Sequence, residues 1–166
     1  MRNQIWKDVT EAKFTQIYTE MTCQHYKRLA KYIDVFTIIF SGSGTLMGLT
    51  FWNKGALLPV IACALTALTQ SMKLISPKLF PSDKDSKKLN DLIAFYFNEY
   101  VELHKLWHEF DKDEINEKTA RERYFKIIEK EKSILPVTNE LLTDDNKRRK
   151  RRAEKATQLF FNSKTI

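Results

Sequence analysis

The 166-residue chain is poor in the residues that punctuate or cross-link a fold, with four glycines, four prolines, two cysteines and three histidines. Three of the glycines, Gly42, Gly44 and Gly48, lie in one apolar stretch, so no glycine-rich phosphate loop can be drawn. Only Cys23 and Cys63 carry thiols, and Cys63 sits in an apolar run; a disulfide framework is not expected, and the water-facing parts suit a reducing compartment. His104 and His108 are four apart, as two zinc ligands on one helix would be, but no third ligand accompanies them, and packing beside Trp107 is the expected role. His25, Cys23 and the acidic residues form no nucleophile, base and orienter set. The expectation is therefore a non-enzyme with no metal and no cofactor. Residues 1–34 also lack an apolar core region and a small-residue cleavage site, and Asp8, Glu11 and Glu20 interrupt them, which argues against a secretory signal.

What the chain does have is Val35 to Met72, in which Lys54 is the single normally charged side chain. Val35–Asn53 is nineteen residues without a charge and Gly55–Met72 is eighteen. At about 1.5 Å rise per residue, each can cross most of a hydrocarbon layer about 30 Å thick. The joint Trp52-Asn53-Lys54-Gly55 combines an interfacial tryptophan, a hydrated cation and turn formers, so a transmembrane helical hairpin is expected over 35–75, with spans about 35–53 and 55–74. Two buried helices of a soluble bundle are the competing explanation, but such helices normally keep a charged face. The mean hydropathy of −0.43 reflects the polar flanks. Lys27, Arg28 and Lys31 precede the first span and Lys73, Lys78 and Lys84 follow the second, against Lys54 in the turn; the positive-inside rule puts both ends in the cytoplasm.

Small and polar residues recur within the hairpin at helical spacing. Thr37, Ser41 and Thr45 are four apart, Gly44 and Gly48 form G-x-x-x-G, and the second span answers with Ala62, Thr66 and Gln70. Each span thus has a seam, which either packs one helix on the other or, in an oligomer, lines a wet path with neutral hydrogen-bonding groups.

The flanks read as helical. Ile5, Val9, Ala12, Ile17, Met21, Leu29 and Ile33 are spaced for an amphipathic helix over 1–34. After the break Ser76-Pro77-Lys78-Leu79-Phe80-Pro81, Ser82 with Asp83 and Asp85 resembles a helix start. Leu89, Leu92, Ile93, Tyr96, Tyr100, Leu103, Trp107 and Phe110 then recur every three or four residues. Asp111 to Glu114 breaks that pattern, and a charged helix with Tyr124, Ile127, Ile128 and Ile134 on its apolar side follows, with Pro136 as its expected end. The fold class expected is all-α: the hairpin, plus a cytoplasmic bundle of the 1–34 helix and the helices of 82–136. Residues 137–166 form a basic tail in this scheme.

That tail contains Lys147, Arg148, Arg149, Lys150, Arg151 and Arg152 in succession, and removing these six from the net charge of +7 leaves +1. The run suits anionic lipid headgroups, nucleic-acid phosphates or simple solvation, and the segment ending Leu159-Phe160-Phe161 favours a surface or partner contact.

The order of these parts resembles the SLATT family (SMODS and SLOG associating two-transmembrane) of bacterial defence effectors. The resemblance is architectural and covers nearly the whole chain: the basic-aromatic patch His25-Tyr26-Lys27-Arg28-Leu29-Ala30-Lys31-Tyr32, a glycine- and serine-rich first span, a short turn and a second span. A helix like Lys88-Leu89-Asn90-Asp91-Leu92 to Tyr100-Val101-Glu102-Leu103 and a later one ending Ile134-Leu135-Pro136 complete it. The arginine-rich run and the final apolar segment lie outside that pattern. The resemblance implies an antiphage, abortive-infection effector in the bacterial inner membrane, held quiet by a nucleotide-signalling protein or retron partner, which oligomerises when released and breaches the membrane as a pore-forming toxin. A non-enzymatic membrane scaffold and a nucleic-acid-binding adaptor are the alternatives.

Overall fold

The computed structural model describes residues 1–50, 83–142 and 146–163 and positions 64, 67, 68 and 71, with backbone alone for 39–50 and 83. Among these residues the protein is all-α, as expected, with four helices and no strand: α1 (Arg2–Thr50), α2 (Asp83–Asp111), α3 (Glu117–Leu141) and α4 (Lys147–Asn162). The chain divides into two compact units, Met1–Cys23 with Lys84–Ile166, and Gln24–Asp83.

The first unit is an up-down-up-down four-helix bundle. Trp6 meets Trp107 with ring centroids 4.6 Å apart, while Cys23 Sγ lies 3.8 Å from Asn90 Oδ1, so α2 runs antiparallel to the start of α1. Arg123 pairs with Glu109 at 2.6 Å and Lys88 with Glu140 at 3.2 Å, which turns α3 back along α2. Arg149 Nη1 donates to Thr22 Oγ1 at 3.3 Å and Phe161 packs on Trp6 at 5.2 Å, so α4 is antiparallel to α1. The core comprises Ile5, Val9 and Ala12 of α1, Tyr100, Leu103 and Leu106 of α2, and Ala120 and Ile127 of α3. Spacings of three, four and seven place each set on one helical stripe, whose burial drives bundle formation. Lys13, itself buried, lays its ammonium 4.2 Å from the Phe160 ring centroid and 5.0 Å from that of Tyr100, fastening α4 to the bundle by cation–π contact.

The connection between α2 and α3 falls where the hydropathy pattern breaks. Asp113 takes φ 55°, its N–H donates to Phe110 O at 3.3 Å, and Glu114 N–H donates to Glu109 O at 2.9 Å, which is the Schellman arrangement with aspartate where glycine is usual. Asn116 then caps α3, its Oδ1 accepting from Thr119 N–H at 2.8 Å.

Three boundaries differ from expectation. Helix α1 continues through residues 34 and 35, and the division between units falls at Cys23 and Gln24. Pro136 lies inside α3, which ends only at Leu141. The bond that proline denies to Lys132 O is offset by tertiary anchoring just beyond it: Thr138 Oγ1 lies 3.0 Å from Tyr96 Oη, and Glu140 pairs with Lys88. Residues 147–162 are not an appended tail but the fourth wall of the bundle, with Ala153 and Thr157 buried against it.

In the second unit, α1 continues to Thr50, and positions 64, 67, 68 and 71 are helical, with Ser71 Oγ donating to Ala67 O at 2.8 Å. Ile38 is 70% exposed and Leu68 52%, and Tyr32 and Val35 are exposed too. No helix of the described residues is long and apolar enough to cross a membrane. Most of the expected second span and the turn lie outside the described residues.

Candidate functional site

Three sets of residues bear on function. The first is the expected seam. Thr37 is buried; Ser41, Gly44, Thr45 and Gly48 lie on α1 as backbone; Thr66 and Gln70 lie outside the described residues.

The second is the basic run, which occupies the first six positions of α4. Asn146 Oδ1 caps that end by accepting from the N–H groups of Arg148 and Arg149, both at 3.1 Å. Arg149 is buried against Thr22, and Lys147, Arg148, Lys150, Arg151 and Arg152 are exposed. Cations at a helix N-terminus oppose the macrodipole, at about 0.3–1 kcal/mol each in the first turn, and that turn itself contains no acidic residue. An anion at this end would relieve both the dipole and the mutual repulsion of the side chains. The run sits at the end of the bundle where Thr22 and Lys88 lie, next to the points at which the chain leaves and re-enters this unit.

The third set was not singled out by sequence reasoning. A cleft of about 400 Å³ opens between α1, α2 and α3, lined by Asp8 and Glu11 of α1, Glu99 of α2 and Glu131 of α3, with Tyr96 and Tyr124 beside them. Among the described residues, no lysine or arginine lines it. Glu99 is 5% exposed, and its Oε2 has no hydrogen-bond partner among the described residues. Burial, followed by the charges of Glu131, Asp8, Glu102 and Glu11, pushes its carboxyl up to about 8. Glu131 is also raised, by burial and then by Glu11 and Asp8. Tyr124 Oη donates to Asp8 Oδ2 at 2.6 Å, while Gln4 Nε2 donates to Asp8 Oδ1 at 3.1 Å. Burial and the Asp8 carboxylate push the Tyr124 phenol up to about 12. The cleft therefore gathers four carboxyl groups, of which burial and mutual repulsion hold Glu99 and Glu131 toward the protonated form.

One signal for this site is present in the sequence. Leu89, Leu92, Tyr96, Leu103 and Leu106 of α2 are all buried, and their alternating spacing of three and four requires a core position at 99, where the chain has glutamate.

His104 and His108 stack edge to face at 4.6 Å, and Trp107 meets His108 at 5.0 Å, so both histidines join the aromatic layer at that end of the bundle. Among the described residues, no three His, Cys, Asp or Glu side chains converge closely enough to hold a metal ion. No family model, curated protein or solved structure matches the chain.

Proposed function

We propose that the protein is a membrane effector of an antiphage, abortive-infection system, inserted in the bacterial inner membrane by a hairpin over 35–75 with both termini cytoplasmic. On release by a sensor partner, it assembles through that hairpin and permeabilises the bilayer. The observation that carries this reading is the stretch Val35–Met72 with Lys54 as its one charge. It is supported by the exposure of Tyr32, Val35, Ile38 and Leu68 in the second unit, as contact with lipid or a second copy would require.

The exposed cations of α4 fit the same scheme. At roughly 1 kcal/mol per lysine or arginine near an anionic surface, five of them give a substantial attraction to headgroup phosphates. A scaffold would use the hairpin as an anchor only. Replacing Ser41, Thr45, Thr66 and Gln70 together by leucine separates the two roles in induced bacteria: an effector loses dye and ion leakage, while a scaffold never leaks in either form. An adaptor that binds nucleic acid through α4 would instead show salt-sensitive RNA or DNA binding that disappears when Lys147 to Arg152 are neutralised.

A further inference from the structure

The carboxylates of the cleft between α1, α2 and α3 are not explained by membrane permeabilisation. Glu99 occupies a core position, buried to 95% with a carboxyl oxygen that finds no hydrogen-bond partner among the described residues, and it lines the cleft with Asp8 and Glu11 of α1 and Glu131 of α3. An apolar residue at that position would cost nothing of the kind. We propose that this cleft is a binding site for a linear aliphatic polyamine, whose ammonium groups are taken up by Glu99, Glu131, Asp8 and Glu11.

Four features select that class of ligand. The lining carries four carboxyl groups and, among the described residues, no cationic side chain. Its charges are distributed: no three acidic groups converge on a single ion, so the complementary charges must be spread along a larger molecule. Its shape is elongated, since the α1 lining extends from Gln4 to Thr15, about 16 Å at about 1.5 Å per residue. Finally, Tyr96 and Tyr124 present aromatic surface among the carboxylates, which suits the methylene segments and ammonium groups of such a chain. The volume of about 400 Å³ accommodates an extended small amine.

Occupancy has a protonic consequence. The groups around Glu99 are Asp8 and Glu11 from α1, Glu102 on its own helix, Glu131 from α3, the phenols Tyr96 and Tyr124, and Lys130 of α3, which lines a second cavity with Glu99 and pairs with Glu102 at 2.9 Å; with its carboxyl near 8, Glu99 holds a proton at neutral pH. An ammonium group brought against it favours the carboxylate, so binding at neutral pH expels a proton from this group.

The test is calorimetric titration of spermidine into the full chain in nonionic detergent at pH 7, in two buffers of different ionisation enthalpy. Saturation at one site per chain with net proton release is expected. Glu99→Gln and Glu131→Gln should each weaken binding at least about tenfold, and Glu99→Gln should remove most of the proton release. The exposed-surface control Glu122→Gln should leave both unchanged. Absence of saturable binding would overturn the site. So would equal weakening by the control, or binding indifferent to Glu99→Gln and Glu131→Gln. Mg²⁺ or arginine amide binding more tightly than spermidine would overturn the ligand class. Each of these outcomes is independent of whether the hairpin permeabilises membranes.

Discussion

Replacing Glu99 by glutamine should stabilise the bundle, increasingly so as pH rises from about 4.5 to about 8. Below an ordinary glutamate value of 4.5, the carboxyl is protonated in both the folded and the unfolded chain, and ionisation costs the fold nothing. Between 4.5 and 8 the unfolded chain releases this proton while the folded chain keeps it, so folding stability falls by about 1.4 kcal/mol per pH unit. The window runs from 4.5 to about 8. The full penalty is therefore on the order of 5 kcal/mol, reached above pH 8 and absent at the acid end. Glutamine cannot ionise and escapes it. Urea denaturation of the full chain in nonionic detergent, followed by far-ultraviolet circular dichroism at pH 5 and pH 8, reads the difference. The wild type should lose stability between the two pH values relative to Glu99→Gln, with Glu131 contributing a smaller residual dependence of the same sign. Parallel pH profiles for the two proteins, or a variant less stable at pH 8, would refute the assignment of Glu99 as a buried, uncompensated acid.

Two further substitutions test the packing in the same denaturation assay. Leu103→Ala removes a side chain that is 0% exposed in the core, and should cost about 2–5 kcal/mol; a cost below about 1 kcal/mol would contradict the core assignment. Pro136→Ala restores a backbone donor inside α3 and should add up to about 3 kcal/mol; destabilisation would mean that the proline, rather than Tyr96 and Lys88, shapes that segment.

Much of the bundle was legible because its apolar residues follow helical periods. Ile5, Val9 and Ala12 announce the buried stripe of α1, and Leu89, Leu92, Tyr96 and Leu103 that of α2. The break at Asp111 to Glu114 was equally plain, since it interrupts one period before another begins. Pro136 misleads because local propensity favours a stop there, while contacts from α2 to Thr138 and Glu140, more than forty residues away in sequence, hold the helix together. The last segment was legible in part: Leu159-Phe160-Phe161 pointed to a surface or partner contact, and burial of Ala153 and Thr157, with Phe160 packed on the core, makes that partner the bundle itself. The acidic cleft was hidden. Asp8, Glu11, Glu99 and Glu131 come from three helices, and each taken alone resembles the polar side of an amphipathic helix. Only the alternation of three and four along α2 marks Glu99 as a residue in a core position.

The hairpin is the claim on which the proposed function rests, and membrane partition tests it most directly. Cells induced to express the full chain would be lysed, their membranes washed with alkaline carbonate, and the pellet and supernatant assayed for the protein. A hairpin across the bilayer over 35–75 predicts that the chain stays in the pellet and is released only by detergent. Recovery of the chain in the carbonate supernatant, without detergent, would contradict insertion and leave Val35–Met72 as helices covered by protein.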